Sequence, residues 1–315
     1  MEMIATRDAY GKALVKLGAS DPRVVVLDAD LAKSTKTVEF MKHYPERFFD
    51  MGIAEQNMMG TAAGLAAAGK VPFASTFAVF AAGRAFEQVR NSIAYTRLNV
   101  KIAATHAGLT VGEDGASHQA IADLAVMRAL PNMTVVVPAD GVETEKAVFA
   151  AAETGGPFYI RLGRSALPVL FDGDYRFRIG EAAVMRPGND ASVIACGIMV
   201  AEALKAAEEL EKEGLSVRVI NMSTIKPLDR EAVTIAARET GAIVTAEEHT
   251  VLGGLGSAVA ETLVETVPVP MERVGIKDVF GESGKPQELL EKYGLTAKNI
   301  KDAVYKAIGR KKERA

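Results

Sequence analysis

The stretch VVVLDADLAKST, residues 24–35, decides the fold because it joins a buried-strand pattern directly to a helix start. A short apolar run bounded in this way is typical of a strand that is covered on both faces of a parallel sheet. Similar runs recur at residues 70–77, 100–104, 134–137 and 158–162, and helical spacing follows each of them. The alternation predicts an α/β fold built on an open parallel sheet.

A second series of the same kind predicts a second domain. Between residues 163 and 190 the apolar pattern breaks into segments rich in Gly, Pro and Asp, which is typical of a connector between compact units. Strand-like runs resume at residues 191–195. We therefore predict two consecutive open-sheet domains, at residues 1–165 and 191–315, joined by a linker at residues 166–190.

Composition and charge exclude several classes of partner. The 315 residues carry 37 Lys and Arg against 40 Asp and Glu, a net charge of −3, which leaves no excess of basic charge for nucleic acid or an acidic membrane. The apolar residues 58–69 fall short of the roughly 18 residues that span a bilayer. A single cysteine, Cys196, forms neither an internal disulfide nor a thiolate metal cage. The N-terminal residues lack the apolar core of a signal peptide, so a cytoplasmic protein is expected.

Ligands of open parallel sheets bind beyond the carboxyl ends of strands, so functional residues are expected in the loops that follow the predicted strands. Asp30 and Ser34 lie in the first of these loops, where helix capping is the competing interpretation. Glu55 begins a small-residue helix, where the helix dipole favours a carboxylate. Its neighbours Ile53 and Met58 predict burial. A carboxylate that is buried without a cation has a raised pKa, which suits a proton donor.

Phe77 and Phe80, three residues apart, follow the next strand. Phenylalanines at this spacing usually belong to the core, and the alternative is a slot for a flat ring. The densest loop, THAGLTVGEDGASHQ, contains His106, Asp114 and His118. Imidazoles beside acidic groups suit proton transfer or the recognition of hydroxyl and phosphate oxygens. The spacing matches no known ligand pattern, so no metal site is predicted.

Two arginines are candidate anion ligands, because a guanidinium group binds phosphate through two parallel hydrogen bonds. Arg7 lies near the N-terminus and Arg164 lies just beyond the last strand of the first domain. Taken singly, each is also consistent with a surface ion pair.

Taken together, these segments resemble the transketolase family over essentially the whole chain. The second half, with VINMSTIKPLD and AEEHTVLGGLGSAVAE, is similar to the C-terminal domain of thiamine diphosphate enzymes. Six segments resemble the pyrimidine-binding domain of transketolases: ATR (5–7), ADLAKS (29–34), GIAEQNM (52–58), STFAVF (75–80), THAGLTVGEDGASHQ (105–119) and RLGRS (161–165).

The resemblance implies the C-terminal section of a split transketolase. The family's complete enzyme binds Mg²⁺ and the diphosphate of thiamine diphosphate through an N-terminal domain that carries Gly-Asp-Gly, a sequence absent here. A separately encoded N-terminal subunit is therefore expected to hold most of both groups and to form a heterotetramer with this chain. The implied reaction moves a two-carbon ketol group from a ketose phosphate to an aldose phosphate.

Matching positions carry implied roles. Glu55 corresponds to the carboxylate that hydrogen-bonds a ring nitrogen of the cofactor's aminopyrimidine. His118 corresponds to a histidine near the reacting carbon. The remaining matches are an aromatic pocket (Phe77, Phe80), an acid near the cofactor (Asp30), an acid that contacts a donor hydroxyl (Asp114) and a sugar-phosphate cradle (Arg7, Ser34, His106, Arg164).

Two departures from the family pattern leave alternative functions open. The family commonly has an aromatic residue at the position of Gly83, and Asp-Ser at the positions of Ala107 and Gly108. A synthase of deoxyxylulose phosphate and a 2-oxo acid dehydrogenase beta subunit share the C-terminal features. A non-catalytic assembly subunit is the third alternative.

Overall fold

The computed structural model describes residues 2–313, which form two α/β units. The strands are β1 Met3–Ala5, β2 Val24–Asp28, β3 Phe48–Asp50, β4 Val71–Phe77, β5 Lys101–Thr105, β6 Thr134–Val136, β7 Phe158–Arg161, β8 Ala166–Pro168, β9 Ala183–Arg186, β10 Ala191–Ala195, β11 Val217–Asn221, β12 Thr224–Lys226, β13 Ile243–Thr250 and β14 Met271–Ile276. The α-helices are α1 Thr6–Ser20, α2 Ala32–Thr35, α3 Val38–His43, α4 Glu55–Ala67, α5 Phe86–Gln88, α6 Asp123–Ala129, α7 Gly141–Glu153, α8 Met199–Lys212, α9 Arg230–Thr240, α10 Leu255–Glu265, α11 Pro286–Lys292 and α12 Ala297–Lys312.

The first unit is built on a seven-stranded sheet with the order β12-β6-β7-β5-β4-β2-β3. Its strands from β2 to β7 pair in parallel. All of β2 is buried because helices cover both faces of the sheet. Leu27 packs into the core on the side of Met58 in α4, whereas Val26 packs on the opposite side with Leu14 of α1. The predicted α/β class and open parallel sheet are confirmed.

The second unit is built on a five-stranded sheet with the order β14-β13-β10-β11-β9. Strands β10, β11, β13 and β14 pair in parallel, and only β9 is antiparallel to its neighbour. Two amphipathic helices, α8 and α12, bury their apolar residues against this sheet. Among residues 2–313, no helix combines the length and the hydropathy needed to cross a bilayer.

The stretch expected to be a plain linker contains two short strands. Strand β8 pairs with β1, and β9 forms an edge of the second sheet. Strand β12, from the second unit, pairs antiparallel with β6 at the edge of the first sheet. Such three- or four-residue edge strands carry almost no periodic signal. The domain limits at residues 165 and 191 therefore stay a prediction.

The apolar spacing of residues 83–97 predicts a helix after β4, but this segment is irregular in the structure. A π-helical turn at Phe80–Arg84 and another at Val89–Ala94 flank α5. Single π turns are rare and occur frequently at functional sites. The first of them carries side chains of the candidate site.

Candidate active site

The candidate site lies where four adjacent strands of the first sheet end. Those strands stand in the order β7-β5-β4-β2, so their carboxyl ends lie side by side. Phe77 ends β4 and His106 follows β5 directly. Arg164 follows β7, and Ser34 lies in the helix after β2. The topology thus gathers residues that are up to 130 positions apart in the sequence (34 to 164).

A positively charged cluster forms one part of this site. Arg7 Nη1 donates to the carbonyl oxygen of Ser34 and to His106 Nε2, each at 3.1 Å. Burial lowers the pKa of the Arg7 guanidinium, Asp8 opposes this, and the positive charge of Arg164 lowers the pKa further. Arg7 Nε is buried and has no hydrogen-bond partner within residues 2–313. Two neighbouring guanidinium groups with a spare donor favour an anion such as phosphate.

His106 is a neutral acceptor in this cluster. A guanidinium group only donates hydrogen bonds, so Nε2 accepts from Arg7, and the ring proton is assigned to Nδ1, 2.9 Å from Thr105 Oγ1. The ring stacks on Phe77 at a centroid distance of 3.9 Å. Burial lowers the pKa of His106 to about 3, and the charges of Arg7 and Arg164 add to the effect. His106 therefore stays uncharged near neutrality, which favours hydrogen bonding over proton transfer as its role.

We expect His106 to keep its Nδ1–H tautomer from about pH 8 down to about pH 5. The unfolded chain takes up this proton near pH 6.5, whereas the folded chain resists until about pH 3. The contribution of His106 to stability is therefore complete above about pH 6.5 and is lost as the pH falls. Two-dimensional ¹H–¹⁵N spectra of the imidazole groups test this, and a protonation midpoint near the ordinary histidine value would contradict it.

Glu55 forms the second part of the site. It is the first residue of α4, and its side chain is 2% exposed. Arg84 Nη1 donates to both carboxylate oxygens, at 2.8 and 2.9 Å. Burial is as expected, but the expectation of a carboxylate without a cation is wrong. Arg84 comes from the π turn 29 positions further along the chain, a separation that carries no local signal.

Aromatic rings connect Glu55 to the histidine loop. The Arg84 guanidinium carbon lies 4.6 Å from the centroid of the Phe80 ring. Phe80 stacks with Phe77 at 5.9 Å between centroids. The His118 ring meets Phe80 edge-on at 5.5 Å. Glu55, both phenylalanines and His118 therefore belong to one continuous cluster, so the aromatic pair is more than core packing.

The loop side chains lie between the two parts of the site. Asp114 is exposed, and its Oδ2 is 3.9 Å from Arg164 Nη1. His118 Nδ1 lies 2.9 Å from Ser117 Oγ. Asp114 thus lies beside the cationic cluster, and His118 lies beside the aromatic rings. The structure thus brings together nine of the ten candidate residues: Arg7, Ser34, Glu55, Phe77, Phe80, His106, Asp114, His118 and Arg164.

Asp30 is the candidate that no contact connects to the others. It is exposed, it has a positive φ of 61°, and its amide donates to Asp50 Oδ1 at 3.1 Å. Sequence reasoning missed the buried Asp28 instead, which accepts from the Leu31 amide and the Thr35 hydroxyl, each at 2.6 Å. Helix α2 has no side-chain cap, so the capping role considered for Asp30 and Ser34 is not observed, and the carboxylate that holds this turn is that of Asp28, the last residue of the strand.

The donor set fits a flat heteroaromatic ring. A buried carboxylate suits a ring nitrogen, and the neighbouring aromatic faces suit the ring itself. A Cβ atom added at Gly83 would meet nothing within 4 Å, so there is open space where an aromatic residue was expected. No group of three or more His, Cys, Asp or Glu residues in the described part of the chain is arranged to hold a metal ion. The residues present fit an aminopyrimidine rather than a metal–diphosphate.

Comparison with known proteins agrees with this geometry. Residues 2–169 match the family described as transketolase, pyrimidine binding domain, and residues 180–300 match transketolase, C-terminal domain. A 6-deoxy-6-sulfo-D-fructose transketolase subunit from Clostridium sp. strain MSTE9 is 45% identical over 97% of this chain and 95% of its own length. Mouse transketolase is 43% identical over 98% of this chain, which spans 49% of that protein.

A solved structure extends the similarity to the whole fold. It is described as a split gene transketolase, inactive beta4 tetramer, and it is 63% identical with a TM-score of 0.93. The superposition covers 98% of this chain and 99% of that chain. At this identity the likeness extends beyond the fold to the sequence of both units.

Proposed function

This chain belongs to the transketolase family, and we propose that it is the C-terminal subunit of a split transketolase that transfers a two-carbon ketol group between sugar phosphates. The observation that carries the proposal is the continuous cluster from Glu55 through Phe80 to His118, which lies beside a cationic cluster. In the proposal, the Glu55 carboxylate would hold a ring nitrogen and the cationic cluster would hold a phosphate, beside one another at the carboxyl ends of the strands.

Members of this family depend on thiamine diphosphate. When bound, the cofactor supplies a carbon nucleophile that adds to a ketose carbonyl and carries the two-carbon group. In the proposal Glu55 would hold a ring nitrogen of its aminopyrimidine, and Phe77 and Phe80 would exclude water around the ring. A partner subunit would hold Mg²⁺ and the diphosphate.

Arg84 holds the Glu55 carboxylate in one orientation, because its Nη1 donates to both carboxylate oxygens. A carboxylate has about four lone-pair sites, so Glu55 can accept from a protonated ring nitrogen while Arg84 keeps one of its bonds. The half-exposed Arg84 side chain, 50% exposed, has room to move when the ring enters. This chain would therefore present an oriented acceptor.

The cationic cluster is the proposed cradle for the sugar phosphate. Arg7 has an Nε donor without a partner among residues 2–313. Arg164 donates to the carbonyl oxygen of Val111 at 2.6 Å, and its acidic neighbours Glu113 and Asp114 are exposed and further away, at 3.5 and 3.9 Å. A phosphate would relieve the repulsion between the two guanidinium groups. His118 and Asp114 would contact the reacting end of the sugar. Asp30 has no contact that supports a role near the cofactor.

A second, separately encoded N-terminal subunit is the proposed partner, and two copies of each chain would form a heterotetramer. The similar split gene transketolase is described as an inactive tetramer of beta subunits. This description supports the expectation that the present chain is inactive alone. Closed symmetry is also the usual arrangement of soluble oligomers.

The test is reconstitution with the partner, Mg²⁺ and thiamine diphosphate. We expect the two-chain complex to convert xylulose 5-phosphate and ribose 5-phosphate, and the isolated chain to show no turnover, because the metal and diphosphate ligands would lie on the partner. Product formation is measured for xylulose 5-phosphate, ribose 5-phosphate and pyruvate in parallel.

Consumption of pyruvate in place of the ketose phosphate would favour a deoxyxylulose phosphate synthase or a 2-oxo acid dehydrogenase instead. A correctly assembled complex that converts none of the three compounds would favour the assembly subunit. Full activity of the isolated chain would overturn the split arrangement.

A further inference from the structure

The loop that carries Asp114 and His118, residues 107–119, is held at its first end by the second α/β unit. Glu248 Oε1 of β13 accepts from the Thr110 amide at 2.6 Å. The carboxylate also packs directly on Gly108, where an added Cβ would lie 2.2 Å from Glu248 Cδ. Gly108 has a positive φ of 79°, which glycine adopts without strain. The departure from Ser at this position thus makes room for Glu248.

The other end of the loop is held by the segment that precedes α11. Gln119 Nε2 donates to the carbonyl oxygen of Leu109 at 3.2 Å and to that of Glu282 at 2.9 Å. One amide therefore closes the loop on itself and ties it to the second unit. Gly281 permits this approach, since an added Cβ would lie 2.0 Å from Gln119 Oε1 and 2.6 Å from a methyl carbon of Leu109.

The middle of the loop lies against the same segment. Gly115 has a positive φ of 75°, and an added Cβ would lie 2.5 Å from Ser283 Oγ. Gly112 approaches Pro286, at 3.3 Å from the corresponding position. Contacts therefore recur along the loop, and each depends on the absence of a side chain on the loop or on the segment.

We propose that the second α/β unit positions the loop of residues 107–119 for the reaction, through the contacts that Glu248 makes with Thr110 and that Gln119 makes with Glu282. Glu248 and Gln119 are positioning residues, because they act on the sugar only through His118 and Asp114. The inference rests on the proposed function, which gives this loop its role. Errors of about 1 Å in such groups cost on the order of 10²-fold in rate.

We call the contacts of Glu248 with Thr110 and of Gln119 with Glu282 the clamp. The substitution Gly281→Ala tests it from a position remote from the reacting groups. Its methyl group would displace the buried Gln119 amide and break both of its hydrogen bonds. Gly309→Ala in α12 is the matched control, because a Cβ there meets nothing within 4 Å. In the full chain we expect amide hydrogen exchange over residues 107–119 to be about tenfold faster in Gly281→Ala and unchanged in Gly309→Ala.

The reconstituted enzyme supplies the second readout. We expect kcat/KM for the sugar phosphates to fall about tenfold or more in Gly281→Ala, while the affinity for thiamine diphosphate stays within about twofold. The affinity for the cofactor is expected to change less than kcat/KM because Glu55, Phe77 and Phe80 are held by contacts outside this loop. A merely structural role would instead change both quantities, together with the melting temperature.

A second pair of variants keeps the test decisive if Gly281→Ala does not fold. Glu248→Gln retains an oxygen that accepts from the Thr110 amide, whereas Glu248→Ala does not. In Glu248→Gln we expect amide hydrogen exchange over residues 107–119 to stay slow and kcat/KM to stay near normal. In Glu248→Ala we expect this exchange to become faster and kcat/KM to fall.

Unchanged exchange in Gly281→Ala and Glu248→Ala would overturn the clamp. Faster exchange with unchanged kcat/KM would overturn its role in positioning. Because exchange is measured on the chain without cofactor or sugar, it remains informative if the wild-type complex transfers no ketol group, a result that would count against the proposed function alone.

Discussion

Glu55→Gln is expected to lower turnover of the assembled enzyme by about 10²-fold to 10³-fold while the chain still folds. The amide has the shape of the carboxylate but carries no charge and holds a ring nitrogen far more weakly. Folding is preserved because the amide oxygen still accepts a hydrogen bond from Arg84, whose side chain is 50% exposed and remains hydrated. Steady-state rates with saturating cofactor and sugar measure the effect.

Glu87→Gln is the matched control for this prediction. Glu87 lies in α5, close in sequence to Arg84, but it is exposed, and within residues 2–313 its carboxylate accepts hydrogen bonds from Gln88 and Asn91 alone. The same chemical change there should leave turnover within about twofold. Near-normal turnover of Glu55→Gln would remove Glu55 from its proposed role.

The largest expected effect on stability is that of Asp123→Asn. Asp123 accepts from Arg161 Nε and from the Tyr159 hydroxyl, each at 2.8 Å, and the side chains of Asp123 and Arg161 are 1% and 5% exposed. Arg161 also donates to the carbonyl oxygen of Glu248 at 3.0 Å, so the pair lies where the two units meet. Removing one charge of a buried pair leaves the other unpaired, which costs about 3 kcal/mol or more.

The pH dependence of this effect has a definite sign. Burial alone would raise the pKa of Asp123, but Arg161 and the hydroxyl of Tyr159 outweigh it, and the pKa is lowered. The stabilisation is therefore present above the unfolded value, near pH 4, and is lost as the pH falls through the folded value. The difference between wild type and variant should persist at neutral pH and shrink in acid.

Urea unfolding followed by circular dichroism measures the free energy of unfolding of wild type and Asp123→Asn, both at neutral pH and in acid. Glu181→Ala is the control, because Arg178 and Glu181 form an ion pair with both side chains at least 60% exposed. Its loss should change the free energy of unfolding by less than about 1 kcal/mol. Equal effects of the two substitutions would contradict the account of the buried pair.

The local pattern of apolar residues was sufficient to predict the central strands and part of the candidate site. The run VVVLD forms a strand with both faces covered, and apolar runs of this kind are long enough to be recognised. Met58 correctly indicated that Glu55 is buried, although Ile53 on its other side is 77% exposed. Residues that follow adjacent parallel strands met as expected, because the strand ends share one sheet edge.

Features that depend on tertiary contact could not be predicted from spacing. Arg84 reaches Glu55 from a π turn, and π turns have no strong sequence signal. The hydrogen bonds that Asp28 makes with Leu31 and Thr35 depend on where the strand ends, which spacing does not define to the residue. The sequence shows Gly108 only as a departure from a family pattern. The space for a side chain there is occupied by the carboxylate of Glu248, which is 140 positions away (108 to 248).

The most direct test of the central claim is the exchange of the thiazolium C2 proton of thiamine diphosphate with D₂O on the assembled enzyme, without any sugar. If Glu55 activates the cofactor, we expect this exchange to be about 10²-fold slower in Glu55→Gln than in wild type and unchanged in Glu87→Gln. Equal exchange rates in wild type and Glu55→Gln, with the cofactor fully bound in both, would contradict the account.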